Sequence, residues 1–138
     1  MIIDANNLVL GRMASYVAKK ALLGNGIDIV NCEKAIIIGK KKEIYDRHKK
    51  RLKRGVHSKG PFLPRMPDRF VKRTIRGMLP YKTAKGSIVF KNIKCHIGVP
   101  DKFKNEKIET MENIDISKNN VIDYIRIKEI CSSLGGKL

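Results

Sequence analysis

Tryptophan is absent, and the chain holds only four tyrosines and four phenylalanines. So few rings argue against a stacking platform of the kind that single-stranded nucleic-acid binders use. No apolar run reaches about 18 residues, so no membrane-spanning helix is expected. The opening Met1-Ile2-Ile3-Asp4 has no basic lead-in, no long apolar stretch and no small-residue cleavage site, which argues against a secretory signal. Cys32, Cys95 and Cys131 are odd in number, widely spaced and without a C-x-x-C pair, so neither a disulfide framework nor a zinc finger is expected. They read as free thiols in a reducing compartment. No internal repeat is visible.

Enzymatic signatures are also missing. There is no Walker loop, and the first strand-to-helix turn offers a lone Gly11 before Arg12 instead of G-x-G-x-x-G. His48, His57 and His96 have no metal-ligand spacing with carboxylates or thiols, no Ser, Thr or Cys has a neighbouring base, and paired carboxylates are scarce. No catalytic residue, metal or cofactor is expected.

What the sequence has in excess is positive charge. The 138 residues fit one domain and are too few for two ordinary ones. They carry 30 Lys and Arg against 13 Asp and Glu, a formal net charge of +17. Self-repulsion of this size points to a polyanion partner, nucleic acid first and an anionic membrane surface second. The charge is concentrated: residues 1–39 are net +1, residues 40–86 hold 17 basic and 3 acidic groups, and residues 87–138 are net +2. A near-neutral globular part thus carries a cationic insert, 40–86.

The flanking parts read as α/β. Met1 to Asp4 is an apolar edge fit for a strand, with Asn6 and Asn7 as turn or cap residues. Leu10, Met13, Ala14, Val17, Ala18, Ala21 and Leu22 follow at helical spacing, stopped by Gly24-Asn25-Gly26. Ile27–Val30 then reads as a strand, which completes a right-handed parallel βαβ unit. The run Ala35–Ile38 either bends back antiparallel or continues the same path after a kink at residues 31–34, and the pattern leaves both open. A weak helix begins near Thr83, Lys94–Ile97 reads as a strand closed by Gly98 and Pro100, and residues 101–120 read as a polar surface excursion. Ile127, Ile130, Cys131 and Leu134 give a short amphipathic helix stopped by Gly135-Gly136.

Within the insert, residues 40–54 hold nine Lys or Arg, with Ile44, Tyr45 and Leu52 as the strongly apolar residues. If helical, this stretch has too thin an apolar stripe to dock firmly, and alone it would be poorly ordered. Residues 55–65 read as an irregular loop carrying His57 and Lys59. Pro67 restarts a helix. Val71, Ile75 and Met78 form one stripe, with Leu79 beside it. Arg65, Arg69, Lys72, Arg73 and Arg76 form a second, roughly 140° away at about 100° per residue. Arginine forks onto phosphate oxygens better than lysine, and Asp68 is the sole acid near the row. For His48 and His57 a phosphate or base contact is expected, for His96 a structural place near the sheet. Tyr45, Phe62, Phe70 and Tyr81 can stack on exposed bases, with core packing the first expectation for Phe70.

These residues also carry a resemblance. Asp4-Ala5, Leu10-Gly11-Arg12-Met13-Ala14-Ser15, Val30-Asn31-Cys32-Glu33-Lys34 and Gly39-Lys40-Lys41 resemble stretches of the universal large-subunit ribosomal protein L-thirteen family in its archaeal and eukaryotic form. So do Gly98-Val99-Pro100 and the 127–136 tail. Most specific is Arg73-Thr74-Ile75-Arg76-Gly77-Met78-Leu79-Pro80, the family's R-x-x-R-G-M-L-P signature. Cys32 stands where alanine is common, and the run after Gly39 is richer in lysine than usual. The resemblance implies a three-layer α/β/α fold with a small, mostly parallel central sheet and a basic helical and loop extension. It implies a cytoplasmic, non-catalytic place on the large ribosomal subunit. The expected partners are large-subunit rRNA and neighbouring large-subunit ribosomal proteins, with no membrane and no small-molecule substrate.

The expected rRNA-binding residues are Arg12, Lys40, Lys41, Lys42, Arg47, His48, Lys49, Lys50, Arg51, Lys53, Arg54, His57, Lys59, Arg65, Arg69, Lys72, Arg73, Arg76, Lys82 and Lys85. The competing readings are a nucleotide-dependent enzyme or a DNA-binding module built on the N-terminal βαβ unit.

Overall fold

The computed structural model describes residues 1–56, 58–111, 114–116 and 123–136. Strand β1 (Ile2–Asp4), helix α1 (Leu10–Leu22) and strand β2 (Ile27–Val30) form the expected parallel unit, with Ile2 opposite Asp28 and Asp4 opposite Val30. The α1 stripe is buried from Leu10 to Ala21, while Leu22, the last residue, turns out to solvent. Asp4 fastens the carboxyl end of β1: one oxygen accepts from the Asn6 backbone N–H and from Asn31 Nδ2, each at 2.9 Å. Asn31 adopts a left-handed conformation (φ 55°), which asparagine tolerates better than most residues.

That turn and the 3-10 turn Cys32–Lys34 carry the chain out of the main sheet. Strand β3 (Ile36–Ile38) pairs antiparallel, but with β6 (Tyr124–Arg126) at the far end of the chain instead of with β2. Helix α2 spans Lys41–Lys53, α3 Pro67–Gly77 and α4 Ala84–Lys91. Strand β4 (Ile93–Cys95) lies one residue earlier than its expected start and pairs parallel with β2. Residues 101–120 are more than a surface excursion. Phe103 is buried, and strand β5 (Ile108–Glu109) returns to pair parallel with β1. The expected tail helix is α5 (Ile127–Ser133).

The main sheet therefore runs β4-β2-β1-β5, all parallel, within a three-layer α/β arrangement. Strand alternation sends Ile3, Ile27, Ile29 and Ile93 to one face, where they pack with Met13, Val17, Val71 and Ile75 of α1 and α3. Ile2 and Val30 point to the other face, which Phe103 covers. There His96 Nε2 lies 2.8 Å from Asp28 Oδ1, the structural place expected for it.

Two packing details differ from the sequence expectation. Met78 is exposed, because α3 ends at Gly77 and the chain leaves the helical track; Leu79 takes the buried position instead. Helix α2 is anchored after all: Ile44 is buried against Ile125, Ile130 and Leu134, with Tyr45 and Leu52 half-buried beside it. One fully buried residue in thirteen is still a weak hold. In the free protein, amides of α2 are expected to exchange with solvent well before those of α1, because local opening tracks buried contacts. Equal protection of both helices by hydrogen exchange would show that α2 is self-supporting.

The three cysteines are packing residues. Cys32 and Cys131 are buried. The Cys95 thiol and burial push the Cys32 thiol upward, and burial pushes that of Cys131 up to about 12, with Asp68 adding to it. Neither is a reactive thiolate at neutral pH.

Candidate nucleic-acid interface

Helix α2 carries its charge on an open surface. Lys41, Lys42, Arg47, Lys49, Lys50, Arg51 and Lys53 are all exposed, as are Lys40 and Arg54 at its ends. Lys41 Nζ meets Glu129 of α5 at 3.6 Å, an exposed pair of small energetic weight. His48 is half-buried. Its Nδ1 donates to the Ile44 carbonyl at 2.8 Å, and its ring sits 5.4 Å from that of Phe70. Phe70, expected in the core, is half-buried at this seam between α2 and α3.

The α3 row forms from Arg69 to Arg76, but Arg65, expected in it, precedes the helix at Pro67 and so leaves the row for the loop side. Arg69 is exposed, and Lys72, Arg73 and Arg76 are half-buried along one side of the helix. Their stems pack on neighbours while the charged ends reach outward. Lys72 lies over the Phe90 ring at 5.1 Å and Arg76 over the Tyr81 ring at 5.0 Å. Arg73 Nη1 donates to the Phe62 carbonyl at 2.9 Å, which ties the loop to the helix. Phe62 itself is 73% exposed, the most open of the large aromatic side chains. Asp68 sits in the first turn of α3, where the helix dipole favours a carboxylate, although one of its oxygens is buried without a hydrogen-bond partner.

The loop between α2 and α3 is held where it enters α3. Arg65 closes against the tail: a Cβ on Gly136 would stand 2.4 Å from the Arg65 carbonyl oxygen, so only glycine fits there. At the other end of α3, Thr83 Oγ1 accepts the Gly86 N–H at 3.1 Å and caps α4. A Cβ on Gly86 would lie 2.0 Å from the Pro80 carbonyl oxygen, which explains a buried glycine inside a helix. Lys82, on the turn after Tyr81, and Lys85, in the first turn of α4, are both exposed.

The structure brings Arg47, His48, Arg51 and Arg73 around one cavity, and Arg69, Lys72, Arg73 and Arg76 along one groove with Pro64 and Phe90. Arg54 and Arg65 line a separate groove along the loop with Pro61 and Phe62, and Lys53 and Lys59 are exposed. Arg12 belongs to a different helix. It lies on the exposed face of α1, one turn before Ser15, whose Oγ reaches Met78 Sδ at 3.5 Å. His57 falls outside the described residues. Lys94 was not among the expected residues: it lines a groove with Arg69, Lys72 and His96, which Asp68 also lines. The alternation in Ile93-Lys94-Cys95, one side chain in and the next out, carried that signal.

The loop that leads into α1, where a nucleotide would sit in a dinucleotide-binding unit, is covered by the chain itself. The Val9 N–H donates to Ile114 and the Ile116 N–H to Asn7, and Val9 bridges to Ile36. Among the described residues no helix is long and apolar enough to cross a membrane.

A family model described as Ribosomal protein L13 matches residues 1–102. Curated relatives extend the likeness to nearly the whole chain. The protein named large ribosomal subunit protein uL13 of Methanopyrus kandleri is 43% identical, covering 97% of this chain and 86% of its own. Those of Methanosarcina barkeri and Archaeoglobus fulgidus, which carry the same name, are 42% identical (99% of this chain, 98% of the relative) and 38% identical (97% and 86%). On a family match over most of its length and relatives spanning nearly all of it, this chain belongs to the ribosomal protein L13 family.

Proposed function

We propose that this protein is a non-catalytic, structural constituent of the large ribosomal subunit. It binds and stabilises folded large-subunit rRNA through the cationic arm 40–65 and the arginine row of α3, and it abuts neighbouring large-subunit proteins. The observation that carries the reading is the pairing of two acid-poor, exposed cationic surfaces, α2 and α3, on a nearly neutral α/β core. The relatives, named as large ribosomal subunit proteins, support the same assignment. A-form RNA hides its major groove, so the contacts fall on phosphates, 2′-hydroxyls and helix shape. Lys and Arg along α2, the loop and α3 neutralise phosphates, Arg12, Lys82 and Lys85 widen the footprint, and Phe62 and Tyr81 are open to a base.

The double variant Arg73→Ala with Arg76→Ala tests it. Binding to large-subunit rRNA is expected to weaken and its logarithmic salt slope to shrink by about 2, one for each phosphate that is no longer neutralised. Unfolding stability is expected to move by no more than about 1 kcal/mol, since both ends are at the surface. An unfolding midpoint that drops together with unchanged RNA affinity would make these residues structural. Duplex DNA competing as well as structured rRNA would favour the DNA-binding alternative.

A further inference from the structure

A cavity of about 390 Å³ opens between α2, α3 and the loop at Leu63-Pro64. Its floor is apolar and drawn from distant parts of the chain: Leu10 of α1, Ile37 of β3, Phe70 of α3 and Leu134 after α5. Its rim is cationic, with Arg47 and Arg51 from α2 facing Arg73 from α3, and among the described residues no carboxylate lines it. His48 leans on Phe70 at 5.4 Å, and its bond to the Ile44 carbonyl fixes the imidazole in place. The volume is at the low end of small-ligand pockets. It has room for one nucleotide and none for a duplex.

The chemistry of that enclosure is specific. An apolar floor containing a ring suits the face of a base, and a three-arginine rim suits the phosphate attached to it. We propose that this cavity receives one unstacked nucleotide of the bound RNA, its base against Phe70 and its phosphate held by Arg47, Arg51 and Arg73. The proposal rests on the rRNA-binding reading above and adds to it a point of recognition that a duplex surface cannot supply. A lone bulged or looped-out nucleotide would fix the register of the protein on an otherwise shape-read helix.

The test is footprinting on large-subunit rRNA with the full chain. Hydroxyl radicals report the backbone; a methylating agent for A and C and a carbodiimide for G and U report the bases. The variants are Leu63→Trp, which fills the cavity from a half-buried loop position, and Phe70→Leu, which keeps apolar bulk but removes the ring. Wild-type protein is expected to shield one unpaired base within its backbone footprint. Both variants are expected to return that base to its free reactivity, keep the backbone footprint, and bind about tenfold more weakly. Base reactivities that are the same for the wild type and both variants would overturn the pocket and leave the cationic-face reading intact. Release of the shielded base by millimolar AMP would make the cavity a mononucleotide site and also overturn it. Absence of any backbone footprint from wild-type protein would overturn both readings together.

Discussion

Between 50 and 200 mM salt, the affinity of this protein for large-subunit rRNA is expected to fall by about 10³–10⁵-fold. That range corresponds to roughly 6–10 phosphates neutralised, each releasing condensed counterions when a cation replaces them. Residues 40–86 supply more exposed cations than that, with 17 basic groups against 3 acidic ones. One of these, Lys41, already faces a carboxylate, and Arg73 commits one donor to the loop. Neither is removed from the interface, because both pairs are at the surface and weak. Filter binding or calorimetry across a salt series gives the slope directly. A slope below about 3 would mean that most of the segment stays off the RNA. The same measurement on the Arg73 and Arg76 double variant separates the α3 row from the α2 arm.

Replacing Ile75 by Ala is expected to destabilise the fold by about 2–5 kcal/mol. Ile75 has no solvent exposure and stands where α3 meets α1 and the sheet. The substitution removes buried methyl and methylene groups and leaves a cavity that the packed helices can only partly close. For a domain whose whole stability is about 5–15 kcal/mol, that is a large fraction, and it corresponds to roughly 10 °C in midpoint. Arg76 is the next residue, about 100° round the helix and half-buried toward the surface, so Ile75→Ala and Arg76→Ala read its core and outer sides separately. Urea or thermal unfolding of the first should show the loss while the fraction that remains folded keeps its RNA affinity. An unchanged midpoint for Ile75→Ala would mean that α3 does not share the core.

The helices were legible because their signals are local. The α1 and α3 stripes repeat at 3.6 residues over consecutive turns, and packing followed them except at the two helix ends, where Leu22 turns outward and α3 stops before Met78. The charge of the interface was legible from composition alone, since Lys and Arg in an acid-poor run stay at the surface whatever the fold. Strands β5 and β6 were not legible. Ile108-Glu109 is two residues in a polar stretch, and its identity as a strand comes from β1, at the opposite end of the chain. Tyr124–Arg126 is likewise made a strand by β3. The docking of α2 rests on Ile44 meeting residues after 124, which no window around Ile44 contains. The cavity was invisible for the same reason: its floor is assembled from residues 10, 37, 70 and 134.

The two late strands and the tail also set an order of events. As the chain emerges from its N-terminus, β1, α1, β2 and the entire cationic segment appear before the residues that close them. The edge of β1 waits for Ile108, β3 waits for Ile125, Ile44 waits for Ile130 and Leu134, and the loop carbonyl at Arg65 waits for Gly136. The C-terminal part, net +2, therefore acts as a late clasp on the segment that holds 17 of the 30 basic residues. Until it closes, the arm lacks the contacts through which Ile44 and Arg65 hold it to the tail; afterwards both of its ends are tied down.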